Sequence, residues 1–422
     1  MKLAVSSPSH APSESSLNLY FKDLDSVASA IAYAWFATVV KKSNTVPLIQ
    51  TPHPDLGLRA ENLYAFSMSG FGDVSNDPEK LDVLCLDDLP KSPPFPSYKF
   101  SLVDHNRLGP RFTEDNPNVV VVSVVDHHED EQLYKDTANP RIITVPTGSC
   151  TSLVADLIHS QCPPEVALIP ELATLLICGI AIDTSGLKPG GKAEDSDRQA
   201  MAYLLSRSTF VPALSPLVAD PDPGADFYDV PVLKDLTKSL KTIKEDVSHL
   251  GTRDLLRRDY KQDSLTPSWA KDSQIQVGLS SVPIGFESWI PRDKAFYDAV
   301  EGWIQERKIA ALAILTSYSD KKESKEKAKK DEKFKGGHKR QLLVVVADNK
   351  VLASKLFGGL EQNSELQLEE RSFKKFGAKK AAGGFGEAFQ AKVYKQGNAD
   401  ASRKVVAPII KEIVEGSANG GE

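Results

Sequence analysis

The residues best equipped for chemistry are Asp126-His127-His128 and Asp104-His105-Asn106. The first trio follows the β-branched run Val119-Val120-Val121-Val122-Ser123-Val124-Val125, and the second follows Phe100-Ser101-Leu102-Val103. The chain has only 8 histidines in 422 residues, so two Asp-His pairs at the ends of apolar runs form a distinctive pattern. Three more aspartates stand where apolar segments begin or end: Asp23, Asp25 and Asp183. A single such aspartate is more often a helix cap or a turn residue. Five of them at four separate element ends, two joined to histidine, point to a shared site. That much carboxylate in one place repels itself unless cations sit among the charges. Carboxylates with few imidazoles suit hard divalent ions, Mg²⁺ or Mn²⁺, and histidine shifts the preference toward Mn²⁺ or Co²⁺. No clustered thiolates accompany them, which argues against structural zinc.

Strands must carry these residues to one edge. The run ending at Val125 reads as a fully buried strand of a parallel sheet, and open α/β sheets place ligands beyond the carboxyl ends of their strands. Residues 17–21, 46–49, 81–86 and 141–145 supply further strands. Ser26 reads as the N-cap of a helix with an apolar face through Val27, Ile31, Ala34 and Trp35. Gly148-Ser149-Cys150-Thr151-Ser152 opens another helix, and residues 172–182 form a buried helix that delivers Asp183. Strands alternating with helices predict an α/β domain with a doubly wound, mostly parallel sheet over residues 17–218. The acidic segment 219–225, with two prolines and a glycine, reads as a linker. Strands near residues 275–283, 309–316 and 341–347 predict a smaller α+β domain over residues 231–416.

The totals set limits. At 422 residues two domains are the default, and a net charge of −6 argues against bulk nucleic-acid binding. No apolar run approaches the length of a membrane span. The four cysteines have no paired spacing, as expected of free thiols in a reducing compartment, and no targeting signal is evident at the N-terminus. The expectation is a cytoplasmic protein with no nucleic-acid or membrane partner.

Asp23-Leu24-Asp25-Ser26, Asp104-His105-Asn106, Asp126-His127-His128 and Asp183-Thr184 occur in the order of the motifs of the DHH phosphoesterases. Asp259-Tyr260-Lys261 and Ser402-Arg403-Lys404-Val405-Val406-Ala407-Pro408 resemble the phosphate-binding motifs of that family's C-terminal DHHA2 domain. Within the family, the segments around residues 126–134, 148–151 and 255–262 look most like fungal cytosolic exopolyphosphatases.

The resemblance implies a hydrolase that removes terminal phosphate from linear polyphosphate by a two-metal mechanism, in a cleft between the domains. It implies two Mg²⁺ or Mn²⁺ ions held by Asp23, Asp25, Asp104, His127 and Asp183, with Asp104 shared between them. His128 would contact phosphate or protonate the leaving oxygen, Asp126 would orient the imidazoles, and His105, Asn106 and Ser149 would support the ligands. Lys261, Arg403 and Lys404 would neutralise the phosphates.

One departure stands out: the position four before Asp23 is Leu19, where relatives carry histidine or asparagine. Either a bulge brings Asn18 into place or one metal position lacks a neighbour. A prune-like or pyrophosphatase-like hydrolase of short substrates, and a weakened polyphosphate-binding protein, therefore remain as alternatives. His53 and the other scattered histidines read as ordinary surface or core residues. Cys150 reads as a small packing residue, Gly383-Gly384-Phe385-Gly386 as a turn, and the Lys/Glu-rich segment 321–340 as a solvated insertion.

Overall fold

The computed structural model describes residues 16–20 (backbone only), 23–72, 74, 81–213, 227–319, 338–376 and 384–416. The chain divides into two compact units, 1–245 and 246–422.

In the first unit the elements are β1 Ser16–Tyr20, α1 Leu24–Val39, β2 Thr45–Ile49, α2 Ala60–Ser69, β3 Leu84–Cys85, β4 Lys99–Val103 and α3 Pro110–Thr113. They continue with β5 Val120–Asp126, β6 Arg141–Ile143, α4 Cys150–Gln161, α5 Pro170–Asp183, α6 Asp195–Leu205 and α7 Pro231–Glu245. The strands form one sheet in the order β3-β2-β1-β4-β5-β6, parallel at every pairing. Chain order reverses between β1 and β4, so the segments after those two strands flank the crevice where such sheets bind ligands.

Side-chain alternation along the strands sorts two cores. Ile49, Val103 and Val125 face a large cluster built with α1, α2 and α4 to α7. Leu48, Leu102 and Val124 face the opposite cluster, covered by Phe112 of α3 and by loop residues Leu89 and Leu108. Helices are thus concentrated on one face. α1 is buried almost all round from Leu24 to Ala37, and α5 from Leu172 to Ala181, which explains why both segments read as nearly unbroken apolar stretches.

Three sequence expectations change. The N-cap of α1 is Asp23, whose carboxylate accepts from Ser26 N at 3.1 Å, and Ser26 lies inside the first turn. β3 is only Leu84–Cys85, because the chain turns into a 3₁₀ segment at Leu86. α7, expected to open the second domain at residue 231, instead buries Leu233, Leu236 and Leu240 in the first unit's core. The expected linker at 219–225 lies outside the described residues, as does 320–337, most of the Lys/Glu-rich segment.

The second unit contains α8 Thr252–Arg258, β7 Tyr260–Leu265, β8 Ile275–Val282, α9 Phe286–Arg292, α10 Phe296–Arg307, β9 Ala311–Thr316 and β10 Tyr318–Ser319. After these come β11 His338–Ala347, α12 Lys350–Gln362, β12 Leu368–Arg371, β13 Phe389–Gln396 and α13 Arg403–Glu415. The sheet order is β12-β13-β11-β9-β8-β7, antiparallel except for β8 with β9. α12 and α13 pack Leu356, Leu360, Val406 and Ile410 against Leu279, Ala313 and Val344 of the sheet.

Candidate active site

The carboxyl edge of the first sheet gathers the strand-end motifs. Asp104 follows β4 and takes a left-handed backbone, φ +61°, while its N–H still bonds to Val125 O at 3.0 Å on the neighbouring strand. That conformation is disfavoured outside glycine and recurs at functional sites. It leaves the two carboxylate oxygens of Asp104 facing different neighbours. Oδ2 meets the Ser26 hydroxyl, which also lies 2.7 Å from Asp23 Oδ1. Oδ1 is buried, makes no well-formed hydrogen bond, and stands 3.1 Å from His127 Nε2.

His127 is fixed by its other nitrogen, Nδ1, which donates to Thr147 O at 3.1 Å. Nε2 therefore points at Asp104 Oδ1 and, at 3.6 Å, at Asp25 Oδ2. Two ligands about 2.1 Å from a divalent ion and at right angles are about 3 Å apart, which is the spacing found here. Asp104, His127 and His128 form a group that could hold a metal ion, with one candidate ligand atom from each lying within 4.8 Å of the others. The donor set fits a hard divalent cation.

The electrostatics agree. Burial and the negative charge of Asp25 push the Asp104 carboxyl up to about 7. The same two causes push Asp183, at the end of α5, up to about 6. Burial alone would lower His127, but contact with Asp104 and the charge of Asp25 outweigh it and raise the imidazole to about 9. A proton on His127 thus offsets the charge of Asp104 and Asp25 when no cation does. Asp23 goes the other way: burial raises it, yet Arg59 and the Ser26 hydrogen bonds hold it below the usual carboxylate range.

Asp126 is fully buried and saturated with donors. Its Oδ1 accepts from the N–H groups of His127 and His128 at 2.8 and 3.2 Å and from His128 Nδ1 at 2.8 Å. Its Oδ2 accepts from Asn106 Nδ2 at 2.6 Å. Asn106 also donates to Glu129 O and accepts from Glu131 N, which clamps the β4 and β5 corners together. His128 thereby keeps Nε2 available on a half-exposed ring, and the bond to Asp126 raises its pKa. His105 turns inward: its Nδ1 bonds Val103 O at 2.8 Å, and burial pushes it down to about 4, so it stays neutral.

Asp25 has a second task that its motif does not announce. It accepts from Ser149 Oγ, Cys150 N and Thr151 N at 2.7, 2.9 and 2.8 Å, a carboxylate seated on the N-terminus of α4. Its partner in this is Asp197, which the sequence reading missed. Fully buried on α6, Asp197 accepts from Gly148 N, Ser149 N, Ser152 Oγ and Glu194 N at 2.6–3.2 Å. A Cβ on Gly148 would stand 2.4 Å from Asp197 Oδ2, so only glycine fits. Cys150 donates to Val125 O, and burial plus the charges of Asp104 and Asp25 raise its thiol well above its ordinary value. It is an inert packing group. Lys192, also unremarked in the sequence, lies 3.4 Å from Asp183 Oδ2.

In the second unit the two basic motifs meet. Arg403, the first residue of α13, donates to Asp259 O and pairs with Asp259 Oδ1, both at 3.0 Å. Lys261 and Lys404 beside them are exposed. The glycine segment is a packing feature: a Cβ on Gly384 would strike the Tyr297 ring at 2.6 Å, and Gly386 N donates to Glu301 Oε1.

Comparison with known proteins identifies the family of the chain. The N-terminal domain of the DHH family matches residues 19–180, and the DHHA2 domain matches residues 238–413. The chain belongs to the DHH family of phosphoesterases, with a DHHA2 C-terminal domain. It is 34% identical over 298 residues to a Schizosaccharomyces pombe protein named "Putative exopolyphosphatase", a match spanning 68% of this chain and 66% of that protein. It is 25% identical over 402 residues to Rattus norvegicus "Exopolyphosphatase PRUNE1", covering 92% of this chain and 73% of the other. Among solved structures, a Methanococcus jannaschii protein titled "putative family II inorganic pyrophosphatase" superposes with a TM-score of 0.51 at 15% identity. That match covers 95% of this chain and 100% of the other, and it shows a shared fold. Among the described residues, no helix is long and apolar enough to cross a membrane.

Proposed function

We propose that this chain is an exopolyphosphatase that hydrolyses the terminal phosphoanhydride bond of linear inorganic polyphosphate and releases orthophosphate. The observation that carries the reading is the convergence of Asp104 Oδ1 and His127 Nε2, 3.1 Å apart, in a chain whose relatives are named exopolyphosphatases. Asp23, Asp25, Asp104, His127 and Asp183 would hold two Mg²⁺ or Mn²⁺ ions. When bound, such ions polarise phosphoryl oxygens and make water a competent nucleophile near neutral pH.

The chain's own groups do the rest. Asp104 presents one oxygen to each half of the site, as expected of a shared ligand. Thr147 fixes the His127 ring, and Asp126 fixes His128, so each imidazole offers Nε2 outward. With its pKa raised by Asp126, His128 is suited to meet a phosphate oxygen or give a proton to the departing phosphate. Arg403, pre-aligned by Asp259, and the exposed Lys261 and Lys404 would neutralise phosphate charge. The four free cysteines support a reducing, cytoplasmic setting.

The test is phosphate release by the purified chain from long-chain polyphosphate, tripolyphosphate and pyrophosphate, with Mg²⁺ or Mn²⁺ and after chelation. Metal-dependent release from long chains, lost in Asp104→Asn and with a raised KM in Arg403→Ala, is expected. Release from pyrophosphate alone would replace this reading with a pyrophosphatase. Retained polyphosphate binding without release would make the chain a binding protein.

A further inference from the structure

Apart from the strand-end carboxylates, the described residues hold one other group with ligand chemistry: His53, Cys85, Asp87 and Asp88. One candidate ligand atom from each lies within 4.8 Å of the others. They sit at the β3 end of the first sheet, where the 3₁₀ turn after β2 meets the 3₁₀ turn after β3.

The hydrogen bonds give the four side chains distinct parts. Asp87 Oδ1 accepts from His53 N at 3.0 Å and lies 3.2 Å from His53 Nδ1, so it takes that ring proton and leaves a lone pair on Nε2. His53 Nε2 faces Asp88 Oδ2 at 3.8 Å, beyond hydrogen-bond reach. Asp88 is itself fixed, accepting from Cys85 N at 2.7 Å, and Cys85 Sγ accepts from the Asp88 N–H. Arg111 braces the loop by donating to the carbonyls of Leu86, Leu89 and Pro90.

A carboxylate holding one histidine nitrogen while the other faces a second carboxylate, with a thiol in the same group, is the arrangement that orients ligands around zinc. Ligands about 2.0–2.3 Å from a tetrahedral ion are about 3.3–3.5 Å apart, so closing 3.8 Å needs only a small side-chain adjustment. We propose that His53 Nε2, Cys85 Sγ and Asp88 Oδ2 bind one Zn²⁺ ion, with Asp87 orienting His53 and water completing the tetrahedron. Neutral imidazole, thiolate and carboxylate balance the charge of the dication. Burial and the charges of Asp88 and Asp87 push the free Cys85 thiol up to about 12, so binding exchanges its proton for the metal. The ion would clip the short β3 edge to the turn after β2. This differs in kind from the hard, oxygen-rich site at the strand ends, and it does not depend on the reaction assigned there.

The test is titration of the chelator-treated, reduced full chain with Co²⁺, followed by Zn²⁺. The expected result is one Co²⁺ per chain giving a thiolate-to-cobalt charge-transfer band with strong tetrahedral visible bands, abolished by Zn²⁺. Both Cys85→Ser and the half-exposed His53→Ala should lose the band, and Asp87→Asn should weaken Co²⁺ binding about 10–100-fold. Phosphate release at saturating Mg²⁺ should be unchanged in His53→Ala. No charge-transfer band in the natural chain, or a band that survives in either Cys85→Ser or His53→Ala, would overturn the proposal.

Discussion

Asp104 follows β4, and Asp126 ends β5, its neighbour in the same parallel sheet. Both are buried, and both precede a histidine. Asp126 is surrounded by donors from His127, His128 and Asn106, and these outweigh burial to hold its carboxyl below the usual range. Asp104 faces other carboxylates, keeps one oxygen without a well-formed hydrogen bond, and is pushed up to about 7. The lesson is that one sequence pattern, apolar strand then Asp-His, yields two roles. A carboxylate saturated by the protein positions its neighbours, and a carboxylate left wanting is available to a cation.

The comparison can be broken by paired substitutions. Asp126→Asn should lower phosphate release about 10–100-fold, the usual cost of losing an orienting partner, by disturbing the His128 ring. Asp104→Asn should cost more than that and should abolish the metal-dependent rise in Tm. Without metal the two should move Tm in opposite directions: up for Asp104→Asn, which relieves repulsion with Asp25, and down for Asp126→Asn. The same sign for both in calorimetry would show that the two aspartates are equivalent after all.

Asp197 extends the saturated class to a residue far from the motifs. Asp197→Ala would leave buried donors at Gly148, Ser149, Ser152 and Glu194 unpaired, a loss of roughly 3 kcal/mol. A Tm drop of about 6–12 °C is expected for a unit of this size. A change within error would remove Asp197 from the support of the α4 N-terminus.

How far these roles were legible follows from the distance over which each is set. The strand ends at Val103 and Asp126, and α5 ending at Asp183, are local events, visible as apolar runs closed by a charged residue. The alternation of strands and helices likewise announced the parallel sheet. The cap of α1 was displaced by only three residues, because Asp23 and Ser26 are both good caps and the choice rests on a bond between them. Asp197 was invisible because three of its four partners, Gly148, Ser149 and Ser152, lie 45 or more residues away in sequence, and the nearby Glu194 reads only as a helix cap. α7 was misattached because an amphipathic helix does not say which core it will cover. The Leu19 departure falls on β1, of which only the backbone is described.

Acid–base behaviour sharpens the comparison at the level of the whole unit. Asp104 and Asp183 have carboxyls raised from 3.8 to about 7 and about 6, so each stabilises the metal-free fold below pH 3.8 and loses that contribution as pH climbs through its folded value. His127, raised from 6.5 to about 9, does the same between those limits. All three push one way, and His105, lowered from 6.5 to about 4, offsets only part of their effect between those two values. The Tm of the chelated protein should therefore fall by several degrees between about pH 4 and 9, and saturating Mn²⁺ should raise it far more at pH 8 than at pH 5.5. An equal Mn²⁺ shift at both pH values would mean that the ion binds away from these groups.

The smallest expected effect concerns Lys192, which sits on the unsatisfied side of the comparison. Its ammonium lies 3.4 Å from Asp183 Oδ2 on a side chain that is 55% exposed, so the pair contributes at most about 1 kcal/mol. Its placement still permits two distinct jobs. As a stand-in for a cation, it competes with metal for Asp183, and Lys192→Ala should lower the Mn²⁺ concentration for half-maximal activity by at most about fivefold. As a phosphate contact, it should instead leave metal half-saturation unchanged and raise KM for polyphosphate, with the increase shrinking as salt screens the charges. Measuring both constants at two ionic strengths separates the cases by sign. If neither constant moves, Lys192 is a solvated partner of Asp183 with no part in metal or phosphate binding.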